Sequence, residues 1–349
     1  VAARTILVTG GAGYIGAVMC EALREHGMQA VVLDNLSHGY RDAVPPGAVF
    51  VGGDVGDAAV VRELFARHAI DAVIHMAAYI EVGESMLAPR KYFDNNFARP
   101  LVLLEAMEGA GVRKFVLSST AAVYGAPERV PIPEDAALRP LNPYGWSKLM
   151  LEQALAWHAA ARGWRYAALR YFNAAGATER CGERHQPETH LIPLVLEAAA
   201  GEREAIAIFG SDYDTADGTC IRDYIHVRDL AEAHIVALRQ LDEPASATAD
   251  LAAHAWNIGN GQGFSVREVI AAAEKVCGRK IPTQLHPRRP GDPPALVASA
   301  AKLQAAGWRP RHTNLEEIIA SAWHWKLRQP QGLAAGKPGS GKALSSPGA

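Results

Sequence analysis

Short β-rich runs alternate with helix-length stretches along the first half of the chain. Residues 6–9, 30–34, 49–51, 72–76 and 114–118 form the strand-like runs, and 14–26, 57–67 and 89–108 are long enough for helices. This alternation predicts βαβ units, a parallel sheet and right-handed crossovers. A further helix is expected from Tyr144 to about Ala161, followed by a strand over 164–171. Beyond Phe172 the pattern turns irregular, with Gly, Pro and His clusters up to about Ile225. Residues 227–241 then read as a helix and 255–258 as a strand, both returning to the sheet. The expected fold is α/β, a Rossmann-type doubly wound parallel sheet with a smaller α/β substrate-binding domain. Residues 1–172 plus 226–258 are assigned to the first domain and 173–225 plus 259–328 to the second. The stretch 331–349, rich in Gly, Ser, Pro, Lys and Ala, is expected to be a disordered tail.

Composition narrows the function classes. A chain of 349 residues with 49% hydrophobic content can bury a large core. Its net charge of -2 gives no global case for nucleic acid or an anionic membrane as partner, so phosphate binding has to be local. No apolar run is long enough to span a bilayer, and no signal peptide is expected ahead of the first strand. Cys20, Cys181, Cys220 and Cys277 lie far apart with no CxxC pair, which reads as reduced thiols of a cytoplasmic protein. Isolated histidines such as His75, His185 and His226 lack ligand spacing, so no metal is expected.

Directly after the first strand comes Thr9-Gly10-Gly11-Ala12-Gly13-Tyr14-Ile15-Gly16. Glycines at 10, 13 and 16 suit a tight turn, close approach of phosphates and a helix N-terminus with free amides. Asp34 ends the second strand, where a carboxylate accepts hydrogen bonds from ribose hydroxyls and repels a 2′-phosphate. A dinucleotide site selective for NAD over NADP is therefore expected. Asp54 and Val55, after the third strand, are placed to receive the adenine edge.

The second informative segment is Tyr144-Gly145-Trp146-Ser147-Lys148, with Ser118-Ser119-Thr120 upstream. Tyr144 and Lys148 are spaced i, i+4 and share a helix face. An ammonium roughly 5 Å from the phenol, at an effective dielectric of about 20, contributes about 3 kcal/mol. That would lower the phenol pKa by about two, toward a tyrosinate able to remove a hydroxyl proton. Thr120 is placed to hydrogen-bond the same hydroxyl and relay its proton.

On these residues the chain resembles the extended short-chain dehydrogenase/reductase superfamily and, within it, the 4-epimerases of UDP-sugars. The resemblance extends to DNLSHG at Asp34, HMAAYIEVGES at His75, YFDNN at Tyr92, SSTAAVYG at Ser118 and NPYGWSK at Asn142. Farther on come LRYFNAAGA at Leu169, DGTCIRDYIHVRDL at Asp217 and RRPGD at Arg288. It implies a UDP-sugar substrate, here a UDP-hexose of the glucose/galactose kind, bound between an NAD domain and a smaller one. Tyr144 would deprotonate the 4-hydroxyl while the C4 hydride passes to a permanently held NAD; the keto sugar would rotate, and hydride would return to its other face. The implied NAD contacts are Gly10, Gly13, Tyr14, Ile15, Gly16, Asp34, Asn35, Asp54, Val55, Asn95, Tyr144 and Lys148. Those implied for the substrate are Thr120, Tyr124, Tyr144, Phe172, Asn173, His190, Phe209, Arg222, Arg289, Asp292 and Leu296. Among these, Asn173, Arg222 and Arg289 would meet the diphosphate, while Phe209 and Asp292 would contact uridine. A homodimer built on helices near 89–108 and 144–161 is also implied.

This sequence departs from the resemblance in three places. Ile80 stands where some members carry a Lys on the cofactor phosphates, and His190 where some carry Asn. Leu296 has intermediate size at a position linked to admitting N-acetylhexosamines. A sugar-nucleotide dehydratase would need an acid and a base directly after the Thr, where this chain has Ala121 and Ala122. A UDP-xylose/UDP-arabinose or UDP-N-acetylglucosamine 4-epimerase shares the reactive groups and stays open at this stage. A non-catalytic NAD sensor should have lost Tyr144, Lys148 or a nucleotide-binding Arg, and none is lost.

Overall fold

The structure is a computed structural model that describes residues 3–243, 250–289 and 292–328. In chain order the strands are β1 (Thr5–Thr9), β2 (Gln29–Asp34), β3 (Val49–Gly52), β4 (Ala72–His75), β5 (Lys114–Thr120) and β6 (Arg165–Tyr171). They continue with β7 (Asn173–Ala175), β8 (Ile206–Phe209), β9 (Ile221–His226), β10 (Ala255–Ile258), β11 (Gly263–Ser265), β12 (Thr283–His286) and β13 (Ala295–Leu296). The helices begin with α1 (Tyr14–Glu25), α2 (Ala58–Arg67), α3 (Val82–Leu87), α4 (Pro89–Phe93), α5 (Arg99–Gly109) and α6 (Pro143–Arg162). After them come α7 (Leu191–Ala200), α8 (Val227–Gln240), α9 (Leu251–His254), α10 (Val266–Cys277), α11 (Ala301–Ala305) and α12 (Leu315–Arg328).

Successive side chains of a strand point to opposite faces, so a strand apolar at every position must be covered on both. Leu7, Val31, Val73 and Phe115 pack against Val61 and Leu64 of α2, Leu103 of α5 and Leu151 and Leu155 of α6. Their neighbours Ile6, Val8, Val32, Ile74 and Val116 pack against Val18 and Leu23 of α1 and Leu230 and Leu238 of α8. Each such side chain, fully buried, contributes about 1.5–3 kcal/mol. The seven strands β10-β6-β5-β4-β1-β2-β3 form one sheet with all pairings parallel. This is the expected doubly wound sheet. Strand order reverses between β1 and β4, and a crevice opens beyond their carboxyl ends.

The remaining strands form smaller sheets: β11-β9-β13 with β7 on β9, and β8 paired with β12. They carry a separate apolar cluster with Val195 and Leu196 of α7, Val269 and Ile270 of α10, and Ile318, Ile319 and Trp323 of α12. Helix α7 lies within the stretch that the sequence pattern left irregular. The helix expected over 89–108 is interrupted: α4 and α5 flank a π turn at Asp94–Ala98. In that turn the Asn96 side chain bonds both main-chain groups of Tyr79, which fixes the segment after β4. The tail expected over 331–349 lies outside the described residues.

Candidate active site

A 340 Å³ cavity occupies the crevice, running from the β1–α1 loop to the start of α6. Gly10 opens the loop at φ 72°, in the left-handed region that favours glycine. A Cβ on Gly16 would lie 2.2 Å from the Gly10 carbonyl oxygen, so only glycine lets α1 seat on the loop. Gly13 caps α1 without a side-chain hydrogen bond, and the first turn holds no acidic residue. Its amides are left for an anion. Asp34 is buried at the end of β2, where Oδ2 accepts from Ala12 N at 2.9 Å and Oδ1 from Leu36 N at 2.8 Å. Burial outweighs these two bonds and raises its pKa. Each oxygen still has a lone pair for a hydroxyl.

Asn35 donates to Asp54 at 2.9 Å, and Asp54 also holds Arg99 at 2.7 Å and the Gly56 amide at 2.8 Å. Asn35, Asp54 and Val55 line one end of the cavity, as Tyr14, Ile15 and Asn95 line other parts. Uncapped amides, a cradle closed to any Cβ and a ribose-side carboxylate are the donor set of a dinucleotide site, and the residues fit one.

At the other end α6 begins with Asn142 accepting from Gly145 N at 2.8 Å and Pro143 at its first position, where the missing N–H costs nothing. This start aims Tyr144 and Lys148 into the cavity together with Thr120 at the end of β5. The Lys148 ammonium donates to the Ser118 carbonyl at 2.8 Å. Thr120 accepts from Ala122 N at 3.1 Å and shares a side-chain hydrogen bond with Tyr144. Burial pushes Lys148 down to about 7, against the pull of Glu152. Tyr144 moves the other way: burial raises its pKa, the Thr120 bond lowers it, and Glu81 raises it further. This corrects the expectation that the lysine alone would pull the phenol down. Spacing shows a shared face, whereas desolvation of both groups sets the direction.

Phe172, Asn173 and His190 line the cavity's third side. Asn173 sits opposite Tyr224 on β9 and hydrogen-bonds its hydroxyl. Phe209, Arg222, Arg289, Asp292 and Leu296 are absent from the cavity lining but gather in the smaller layer. Arg289 stacks 3.9 Å over the Phe209 ring, Arg222 is ion-paired with Asp292, and Leu296 sits opposite Arg222 in the β9–β13 register. Tyr124 is the exception. Its side chain is buried in the core, donating to Asn257 at 2.7 Å and accepting from Arg170 at 2.9 Å, which corrects its assignment to the sugar.

Several lining residues escaped sequence reasoning, among them His38, Tyr79, Glu183 and His185. Their only signal was the polarity of the His38 turn and of the 183–190 segment. Glu183, Glu188 and His190 hold ligand-type atoms within 4.8 Å of one another. One oxygen of each carboxylate is nevertheless taken by a histidine Nδ1 and by main-chain amides.

A parallel sheet with a glycine-rich first turn, a carboxylate after β2 and a Tyr–Lys pair on α6 defines a nucleotide-dependent enzyme fold. The chain belongs to the NAD dependent epimerase/dehydratase family, whose model matches residues 6–259. It is 50% identical over 328 residues to a UDP-glucose 4-epimerase of Streptomyces lividans, covering 93% of this chain and 97% of that protein. A structure of UDP-glucose 4-epimerase from Brucella ovis in complex with NAD superposes with a TM-score of 0.87 at 44% identity, covering 93% of this chain and 98% of that one. A Bifidobacterium longum UDP-glucose 4-epimerase in complex with NAD+ and UDP gives a TM-score of 0.88 at 38% identity, covering 94% and 100%.

Proposed function

We propose that the protein is an isomerase that interconverts UDP-glucose and UDP-galactose at C4, using tightly held NAD. The observation that carries this is the Tyr144–Thr120 hydrogen bond beside Lys148, in the same cavity as the Gly10–Gly16 loop. In this reading Gly10, Gly13, Tyr14, Ile15 and Gly16 face the pyrophosphate, and Asp34 accepts from the adenosine ribose. Asn35, Asp54 and Val55 border the adenine, and Asn95, Tyr144 and Lys148 hold the nicotinamide ribose end. When bound, NAD supplies the oxidant for C4 and a ring cation that favours the Tyr144 phenolate.

Tyr144 Oη takes the proton of the sugar 4-hydroxyl and later returns it. Thr120, its oxygen pinned by Ala122 N, orients that hydroxyl. The 4-keto sugar turns within the site before it is reduced from the other face, so no net oxidation occurs. Phe172, Asn173 and His190 line the sugar and diphosphate path, and Phe209, Arg222, Arg289, Asp292 and Leu296 form the uridine end. Arginine forks suit phosphate oxygens, and an aromatic face suits a base. Ala121 and Ala122, directly after Thr120, cannot transfer protons, which disfavours dehydration. The substrate would lie between the parallel sheet and the smaller layer.

The chain is further proposed to act as a cytoplasmic homodimer. Exposed Leu101 on α5 and the exposed Trp146 and Trp157, which share a face of α6, support the dimer. Four free cysteines support the compartment. The test is incubation with UDP-glucose, followed by NMR of the sugar. Wild type should form UDP-galactose, and Tyr144→Phe should retain NAD while turnover falls by about 10²–10⁴ or more. Near-normal turnover in that variant would remove the proposed base.

A further inference from the structure

If the cavity holds NAD, it must accommodate the two negative charges of a pyrophosphate beside the N-terminus of α1. Helix amides meet part of that charge, and the remainder calls for cations. Among the described residues no arginine lines the cavity, and the single lysine that does, Lys148, is committed to the Ser118 carbonyl. Ile80, on the segment after β4, is apolar. The other cation-capable lining residues are His38, His185 and His190.

The His38 and His185 rings are 6.2 Å apart, and His38 meets the Tyr79 ring edge-on at 5.5 Å. Both histidines also line a second, 270 Å³ cavity adjoining the first, so they stand at the boundary between the two. His190, its ring 6.2 Å from that of His185 and its Nδ1 paired with Glu188 at 2.8 Å, lies on the third side of the cavity with Phe172 and Asn173. We propose that His185, with the His38 ring beside it, supplies the positive charge facing the dinucleotide pyrophosphate, so that the grip on NAD weakens as His185 loses its proton. This rests on the reading that the cavity holds NAD.

The surrounding charges decide how His185 titrates. His185 Nδ1 bonds Glu183 at 2.5 Å, which leaves Nε2–H for a phosphate oxygen. Glu183, Glu188 and Glu81 outweigh the burial of His185 and raise it to about 9. It is therefore cationic at neutral pH and loses its charge as pH rises through that value. His38 neighbours Asp34 from the β2 side and Glu84 from α3. Arg184 is turned away, stacked 3.9 Å over Tyr40 and paired with Asp42. Tyr14 adds no donor, since its hydroxyl is spent on the Gly176 carbonyl.

The experiment measures NAD retained by the purified enzyme after gel filtration, by absorbance of the nucleotide released on denaturation. The pH runs from about 7.5 to about 9.5, the range in which a raised histidine discharges. Wild type should lose affinity by roughly tenfold across the range, the worth of one charged hydrogen bond. His185→Gln should be weaker by roughly tenfold at the lower pH and nearly flat above it. His185→Arg should match wild type at the lower pH and lose the slope, which separates charge from loop packing. Retention by His185→Gln equal to wild type across the range would overturn the inference. If wild type retains no NAD at any pH, the NAD reading falls and this inference falls with it.

Discussion

Lys148 carries an energetic cost that its function alone explains, and replacing it with Met should expose that cost. The side chain is 3% exposed, and burial takes it from the ordinary 10.5 to about 7. Shifts of that size disfavour the charged form in the fold by at most about 5 kcal/mol. The folded-state pKa lies below the unfolded one, so the unfolded chain binds more protons between the two values. The penalty is therefore complete below about 7 and fades as pH climbs toward 10.5. Met keeps the stem and removes the charge. It also removes the 2.8 Å bond to the Ser118 carbonyl, a loss of about 1 kcal/mol. Lys148→Met should thus be more stable than wild type by about 2–4 kcal/mol near pH 6, with the gain vanishing near pH 10. Urea unfolding of NAD-free protein across that range measures it, and turnover should be nearly abolished in the same variant. A variant no more stable than wild type near pH 6, or a gain independent of pH, would refute the reasoning.

Two further substitutions probe the scaffold behind the site. Gly16→Ala would drive a Cβ to 2.2 Å from the Gly10 oxygen and 2.7 Å from the Gly11 Cα. Stability should fall by about 1–3 kcal/mol and NAD content of the purified protein should drop, readable by thermal unfolding and released nucleotide. Arg170→Met would strip the fully buried Glu152 of its ion pair, and the Tyr124 hydroxyl and Glu134 carbonyl of a donor. Denaturant unfolding should show a loss of about 3–5 kcal/mol, with much of it restored in the Arg170→Met, Glu152→Met double variant.

The parallel sheet was legible because its signals are local. An apolar strand of four to seven residues bounded by glycine or aspartate can be read from the chain, and β1 to β6 and β10 begin within one residue of expectation. The glycine spacing likewise follows from one turn. What escaped depends on partners distant in sequence. The π turn at Asp94–Ala98 exists because Asn96 reaches Tyr79, and no periodicity shows a contact across that gap. Helix α7 reads as an apolar run broken by Pro193, which is harmless only because it falls in the first turn. Tyr124, four residues after Thr120 at the end of a 3-10 turn, is implied as a sugar contact by the resemblance, yet Arg170 and Asn257 from β6 and β10 claim its hydroxyl.

The Tyr144–Lys148 pair shows the same limit within the site. Spacing fixes that the two share a face, and Coulomb attraction then suggests a mutual stabilisation of their charged forms. The structure puts that face inside the protein, where burial drives both toward neutrality. Such a pair is poised rather than pre-ionised. It would be expected to ionise when a cationic ring and a hydroxyl substrate arrive, which ties proton removal to the complete complex and spares the protein a standing charge in its core.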